Sequence, residues 1–431
     1  MRFARSYTQV MGPRSRAIAF IAACAGAAAA QTLEVTPNRV LIDESAAIHA
    51  SGLQPGEHVS IRASLEDGGG NTWESQAEFA SDDKGNIDSS KQAPVAGSYK
   101  DVSSMGLVWS MMPASKNVTV YQAPKNLGPQ TIRFRLLRKG EGLATANLEQ
   151  LSVAEGVVRT PVHEAGLYGV FFAPPGGVSS PGVLVVGGSE GGMPTRKAAW
   201  LASRGFAAFA VAYFHYEDLP SQLEAIPLEY FQRALGWIAA RPETSGQKIA
   251  VMGTSRGGEL ALQLGSMFPR VAAVVAYVPA NVRYRSCCGA APRVPYAWTW
   301  QGRPLAFVLP RLRNAEMEVR AEIAVEHTQG PILITSGTDD HVWPSAEMAD
   351  DIAARLQRQH FAYGFENLKY SHAGHLAGRA EIVPAWHSRT RNPATGQESD
   401  WGGSPKADAE SSIDAGPKVI RFLGENLNPR R

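Results

Sequence analysis

Three short stretches carry the residue types that acyl-transfer chemistry needs. The first is Gly253-Thr254-Ser255-Arg256-Gly257, a Gly-x-Ser-x-Gly motif. It follows the apolar run Ile249-Ala250-Val251-Met252 and precedes good helix formers, Glu259-Leu260-Ala261. A Ser on a sharp strand-to-helix turn presents its hydroxyl at the tip, and flanking Gly residues let strand and helix approach closely. With 42 Gly in 431 residues the bare motif also arises by chance, so the strand before it and the helix after it carry the reading. A Ser hydroxyl is a weak nucleophile and needs a base held by a carboxylate. The second stretch, Gly337-Thr338-Asp339-Asp340-His341, follows the apolar run Ile332–Ser336. It offers Asp340 as the acid, with Asp339 in reserve and a turn or helix-cap carboxylate as the alternative. The third, Tyr370-Ser371-His372-Ala373-Gly374-His375, offers His375 as the base and His372 as its alternative. The order Ser, acid, His along the chain is that of an α/β-hydrolase.

An oxyanion needs backbone N–H donors on the nucleophile's helix and on the loop after the third strand. Gly187-Gly188-Ser189-Glu190-Gly191-Gly192 follows Val183–Val186. The expected donors are the amides of Ser189 and Arg256. The loop misses the dinucleotide pattern G-x-G-x-x-G, because position 189 is Ser. His372 and His375 lack an H-E-x-x-H context and a nearby third ligand, so neither a metal nor a cofactor is expected.

The elements that must position these groups read as two regions. From Leu33 to Ala154 short alternating runs, such as Val59–Leu65, Val118–Tyr121 and Ile132–Leu136, are separated by turn signals. That predicts a β-sandwich over residues 31–155. Its two histidines, His49 and His58, sit in no catalytic cluster. After Pro161 apolar runs alternate with helical periods: Val183–Val186, Ala198–Arg204, Phe206–Tyr213, Leu228–Ala240, the elbow, Val271–Val278, Ile332–Ser336, Ala346–Gln359, Gly364–Tyr370 and Val419–Leu427. This predicts a doubly wound, mostly parallel sheet over 156–431. Pro279–Pro310 is aromatic and Arg-rich and is the expected place for a lid or substrate-binding insertion.

The bulk numbers exclude some classes. Net charge is +2, and it falls to −2 once Arg2, Arg5, Arg14 and Arg16 are set aside. No basic stripe points to nucleic acid. Those four Arg precede the apolar run Ala17–Ala30, which ends in Ala28-Ala29-Ala30. Residues 1–30 are therefore expected to be an export signal, too short and Ala-rich for a membrane span. Ile21-Ala22-Ala23-Cys24 offers a lipid anchor at Cys24 as the alternative, and an unprocessed start would leave the protein cytoplasmic. The other cysteines, Cys287 and Cys288, are adjacent, and neighbouring cysteines are not expected to bridge.

With these residues placed, the chain resembles the acyl-CoA thioesterase and bile acid-CoA:amino acid N-acyltransferase family. The resemblance rests on Val35-Thr36-Pro37, Gly52–Gly56, Met105–Trp109, Tyr216–Pro220, Leu228–Phe231, Gly253–Leu260, Gly337–Trp343 and Trp401-Gly402-Gly403. It covers nearly all of the chain after residue 30. It implies an immunoglobulin-like domain before an α/β-hydrolase domain, Asp340 as triad acid and His375 as base. In that family the nucleophile is Ser in thioesterases and Cys in amino-acid acyltransferases, so Ser255 implies hydrolysis of an acyl thioester. Arg256 stands where the family usually has Lys, and the residues after His375 depart from its pattern. An exported protein would not meet cytosolic acyl-CoA. A carboxylesterase or dienelactone-hydrolase-like esterase is therefore the alternative activity, and a non-catalytic binding protein the alternative class.

Overall fold

The computed structural model describes residues 1–2, 30–289, 292–309, 315–391 and 398–427. The export-signal segment and Cys24 lie almost wholly outside the described residues. Gln31–Arg431 forms one compact unit, and Met1–Ala30 is assigned to another.

The amino-terminal strands form two sheets that share one core. Thr32–Thr36, Ala47–Ser51 and Ile87–Asp88 make the smaller sheet. The larger runs in the order Arg39–Leu41, Glu141–Leu151, Gln130–Arg138, His58–Glu66, Thr72–Ala80 and Ala96–Gly97, with Met112–Pro113 also pairing Thr72–Ala80. Alternation sets the faces: Val59, Ile61, Ala63 and Leu65 point inward and their neighbours outward. Val118–Tyr121 forms no strand of either sheet. Val120 makes an isolated bridge with His387, so its alternation serves a contact with the far end of the chain.

The second region is one eight-stranded sheet, whose strands are Val158–Glu164 (β1), Leu167–Ala173 (β2), Ser180–Val186 (β3), Ala207–Ala212 (β4), Thr244–Thr254 (β5), Val271–Tyr277 (β6), Ile332–Gly337 (β7) and Phe365–Tyr370 (β8). Their order is β1-β2-β4-β3-β5-β6-β7-β8, parallel except at β1–β2 and β2–β4. This mixed, doubly wound order is that of an α/β-hydrolase. Its helices are Thr195–Ser203 (α1), Glu229–Ala239 (α2), Arg256–Met267 (α3), Ala315–Ala321 (α4), Ser345–Arg358 (α5) and Pro405–Leu427 (α6).

Both faces of the sheet's interior are covered, which explains why the inner strands β3, β4, β6 and β7 read as continuous apolar runs while the edge strands β1 and β8 do not. Leu184, Phe209, Val251 and Val274 pack against α2, α3 and α5 through Phe231, Leu235, Leu260, Leu264 and Ile352. Val183, Val185, Ala208 and Met252 face the other way, toward Trp200 and Leu201 of α1 and Val419, Phe422 and Leu423 of α6. Each such buried aliphatic or aromatic side chain contributes about 1.5–3 kcal/mol. Gly205 ends α1 with φ +91°, while Phe206 N–H donates to Leu201 O. An L side chain would be strained there.

The last helix is longer than its apolar period suggests. It begins at Pro405, 14 residues before the expected Val419, because its first turns are written in Ala, Asp, Ser, Gly and Pro. The cysteine expectation also fails, since Cys287 and Cys288 form a disulfide. Tertiary pairing holds the required turn. Leu223 and Cys287 exchange both backbone hydrogen bonds, and Cys288 adopts φ +76°.

The amino-terminal sheets and the large sheet meet within the same unit. The Asp43 carboxylate accepts from Arg204 Nη2 at 2.6 Å and Trp200 Nε1 at 2.8 Å. Among the described residues, no helix is long and apolar enough to cross a membrane.

Candidate active site

The turn from β5 into α3 places Ser255 at φ +57°, ψ −121°. A non-Gly residue in such a region costs about 1–3 kcal/mol, so the surroundings must hold it. The Ser255 amide donates to Tyr277 O on β6 at 2.9 Å. The two flanking glycines are required by space. A Cβ on Gly253 would lie 2.0 Å from Gly257 O, and one on Gly257 would lie 2.4 Å from Gly187 O.

His375, on the loop after β8, is 8% exposed. Its Nε2 lies 2.9 Å from Ser255 Oγ, and its Nδ1 lies 2.8 Å from Asp340 Oδ2. A carboxylate can only accept, so Nδ1 carries the proton and Nε2 is left to accept from the hydroxyl. The Asp340 side chain is fully buried, and its Oδ1 accepts the amides of Val342 at 3.0 Å and Trp343 at 3.3 Å. Ser255, Asp340 and His375 are thus brought together in one hydrogen-bonded chain.

The two reserve residues lie elsewhere. Asp339 Oδ2 accepts Gly403 N–H at 3.0 Å, and its Oδ1 lies 3.1 Å from His341 Nε2. His341 also faces Asp400 Oδ2 at 3.2 Å, and the carboxylates of Asp400 and Asp339 raise its pKa. His372 is exposed, and its amide donates to Thr338 Oγ1.

The loop after β3 passes beside the nucleophile. A Cβ on Gly188 would lie 3.5 Å from Ser255 Cβ. Gly188 N–H is occupied, donating to Glu190 Oε1 at 3.0 Å. The amide of Ser189 donates to nothing among the described residues. The Arg256 amide opens α3, where no acceptor four residues back lies within the helix.

Within the expected insertion Pro279–Pro310, whose residues 290, 291 and 310 lie outside the described ones, Tyr284 and Trp298 are pinned to α3 by a buried pair the sequence reading did not single out. Glu259 is 0% exposed; it accepts from Trp298 Nε1 at 2.7 Å and Tyr284 N–H at 3.3 Å. Arg256 Nε sits 3.4 Å from Glu259 Oε2, and Arg256 Nη2 donates to Tyr284 O at 3.1 Å. Burial raises the Glu259 pKa against the opposing pull of Arg256. Tyr284 stacks on Trp343 with centroids 5.4 Å apart, and Trp343 meets His375 edge-on at 5.3 Å. No helical or strand period announces this pairing; the only sign was two charges inside an otherwise apolar helix.

Glu259→Ala is expected to destabilise the protein by about 3–5 kcal/mol, because it strands the buried Arg256 guanidinium. Glu259→Gln should cost less, since its amide oxygen still accepts from Trp298. Urea unfolding of both variants checks this, and equal midpoints for Glu259→Ala and wild type would refute it.

Among the described residues, no group of three or more His, Cys, Asp or Glu side chains is arranged to hold a metal. The site presents a hydroxyl, an imidazole within hydrogen-bond reach of it, a carboxylate on the far side of that imidazole, and amides beside the hydroxyl.

Two family descriptions match this chain. "BAAT / Acyl-CoA thioester hydrolase C terminal" matches residues 226–429, and "Acyl-CoA thioester hydrolase/BAAT N-terminal region" matches residues 43–164. The mitochondrial acyl-coenzyme A thioesterase 2 of Mus musculus is 30% identical over 421 residues, covering 93% of this chain and 90% of that protein. Acyl-coenzyme A thioesterase 1 of Mus musculus is 30% identical over 422 residues, covering 92% of this chain and 97% of that protein. Among solved structures, a putative dienelactone hydrolase from Klebsiella pneumoniae aligns with TM-score 0.41 and 17% identity, covering 62% of this chain and 98% of that one.

Proposed function

The chain belongs to the acyl-CoA thioester hydrolase/BAAT family, and from that premise we propose that it is a serine hydrolase cleaving acyl thioesters through an acyl-Ser255 intermediate. The observation that carries the reading is His375, set between Ser255 Oγ at 2.9 Å and Asp340 Oδ2 at 2.8 Å.

In this mechanism His375 Nε2 takes the Ser255 proton as Oγ attacks the acyl carbonyl. Asp340 keeps Nδ1–H in place and stabilises the imidazolium that forms. The negative oxygen of the tetrahedral intermediate is received by the amides of Ser189 and Arg256, each such donor supplying about 2.7–4 kcal/mol. His375 returns the proton to the leaving sulfur, and the thiol departs. Water, deprotonated by the same imidazole, then attacks the acyl-serine, and His375 returns that proton to Ser255 Oγ as the acyl–oxygen bond breaks and the acid leaves. A Ser nucleophile favours water over an amine as final acceptor, because an oxygen ester is attacked by amines far more slowly than a thioester is, while the two hydrolyse at comparable rates.

The same proposal assigns an immunoglobulin-like sandwich to residues 31–155, the hydrolase to 156–431 and an export signal to 1–30. The Cys287–Cys288 bridge supports an oxidising compartment. Sequencing the mature amino terminus tests the export reading, and a terminus retaining the four Arg would reject it.

The activity is tested by assaying the full chain against acyl-CoAs of graded chain length, aryl esters and a dienelactone, alongside fluorophosphonate labelling. The expected result is label on Ser255 and the highest kcat/KM on a CoA thioester. Label with turnover only of esters would replace the thioester reading with the esterase one. Absence of both label and turnover would leave a binding protein.

A further inference from the structure

The loop that carries His375 is held from behind by the first turns of α6, a region with no part in the triad itself. Asp408 Oδ1 accepts Gly374 N–H at 2.8 Å. Ser411, three residues later on the same helical face, accepts Gly378 N–H with its Oγ at 2.9 Å. These two bonds bracket His375 on both sides along the chain. A third is made by His375 itself, whose amide donates to Trp401 O at 2.7 Å. The packing admits no slack: a Cβ on Gly374 would lie 2.4 Å from Gly402 O, and one on Gly403 would lie 2.4 Å from Gly374 N.

The placement of Asp408 is costly. The residue is 3% exposed, and its buried Oδ2 makes no hydrogen bond among the described residues; it faces His387 Nε2 at 3.5 Å, beyond good hydrogen-bond geometry. A buried carboxylate with one oxygen held only by that long contact lowers stability relative to an apolar side chain. What it provides in return is a charge-assisted bond to the residue immediately before the base. The helix start around Pro405 helps keep that charge in place.

We infer that Asp408 is a positioning residue for the hydrolytic reaction, acting through the Gly374 amide to hold the His375 imidazole in line with Ser255 Oγ. The inference rests on the serine-hydrolase reading of the site. A small displacement of His375 weakens proton transfer from Ser255 in every turnover, yet leaves the acyl-binding surface unchanged. The effect therefore falls on kcat and not on KM.

The experiment compares wild type, Asp408→Ala, Asp408→Asn and Ser411→Ala in steady-state hydrolysis and in the time course of fluorophosphonate labelling. The rate of labelling reports nucleophile activation, and the final labelled fraction reports how much protein is folded. Asp408→Ala is expected to lose about 10- to 100-fold in kcat and in labelling rate, with KM within about threefold of wild type and full final labelling. Asp408→Asn keeps an oxygen facing Gly374 and should recover to within about fivefold of wild type. A wild-type labelling rate in Asp408→Ala would overturn the inference. So would a loss confined to the labelled fraction, which marks a purely structural role. Should Asp408→Ala fail to fold, Ser411→Ala decides: about a threefold slower rate at full labelling supports the cradle, and an unchanged rate rejects it. A wild-type protein that takes no label would instead reject the serine reading itself.

Discussion

Ser255→Ala is expected to lower kcat by about 10^4- to 10^6-fold while the protein stays folded. The loss is that large because the hydroxyl is the only group at the tip of the β5–α3 turn that can form the acyl intermediate. His375 and the amides beside it would remain, so residual catalysis would come from oxyanion stabilisation of direct water attack. Ser255→Gly separates chemistry from strain. It removes the same hydroxyl and should be equally inactive. It also relieves the φ +57°, ψ −121° conformation, which Gly adopts freely. Strain relief of about 1–3 kcal/mol exceeds the extra chain entropy that Gly loses on folding, so Ser255→Gly should melt above Ser255→Ala. The two are compared by thermal unfolding and by turnover on the best substrate. Activity within tenfold of wild type in either variant would sink the acyl-serine mechanism, and a lower melting point for the Gly variant would sink the account of strain.

That Ser255, Asp340 and His375 meet was legible because α/β sheets put functional side chains on loops at the carboxyl ends of strands. Each of the three follows a stretch that reads as a strand without any structure: the apolar runs of β5 and β7, and the alternating Phe365–Tyr370 of β8. What holds them was less legible, for a physical reason. Asp408 and Ser411 work through backbone amides of Gly374 and Gly378, and backbone bonds leave no mark on side-chain periodicity. Their helix starts in Pro, Asp and Ser, which read as loop until tertiary packing overrides propensity. Arg256 and Glu259 look like surface charges three apart on a helix, and only the covering segment with Tyr284 and Trp298 makes them a buried pair. The Cys287–Cys288 bridge depends on pairing with Leu223, more than 60 residues away, which no local rule supplies. The alternating Val118–Tyr121 misleads in the opposite direction, because one bridge to His387 needs the same local pattern as a full strand.

The adjacent acids give the sharpest division of roles. Asp340→Asn is expected to cost about 10^4-fold in kcat, although Asn has the same shape. The amides of Val342 and Trp343 both donate to Asp340 Oδ1. They would hold the carboxamide oxygen there and turn its NH2 toward His375 Nδ1. That NH2 is a donor, so the neutral imidazole must accept at Nδ1 and carry its proton on Nε2, the atom facing Ser255 Oγ. The base is then present, in place and in the wrong tautomer. Asp339→Asn meets no such conflict. Its carboxamide oxygen can still accept Gly403 N–H, and what it loses is an exposed ion pair with His341, worth little in water. It should retain kcat within about threefold of wild type. Asp339→Ala frees the Gly403 amide and loosens the Trp401–Gly403 turn whose carbonyl binds His375, so about a tenfold loss is expected. Measuring kcat and labelling rate for all three variants orders them as Asp340→Asn far below Asp339→Ala, and Asp339→Ala below Asp339→Asn. If Asp339→Asn fell as far as Asp340→Asn, the carboxylate that orients the base would have been assigned to the wrong member of the pair.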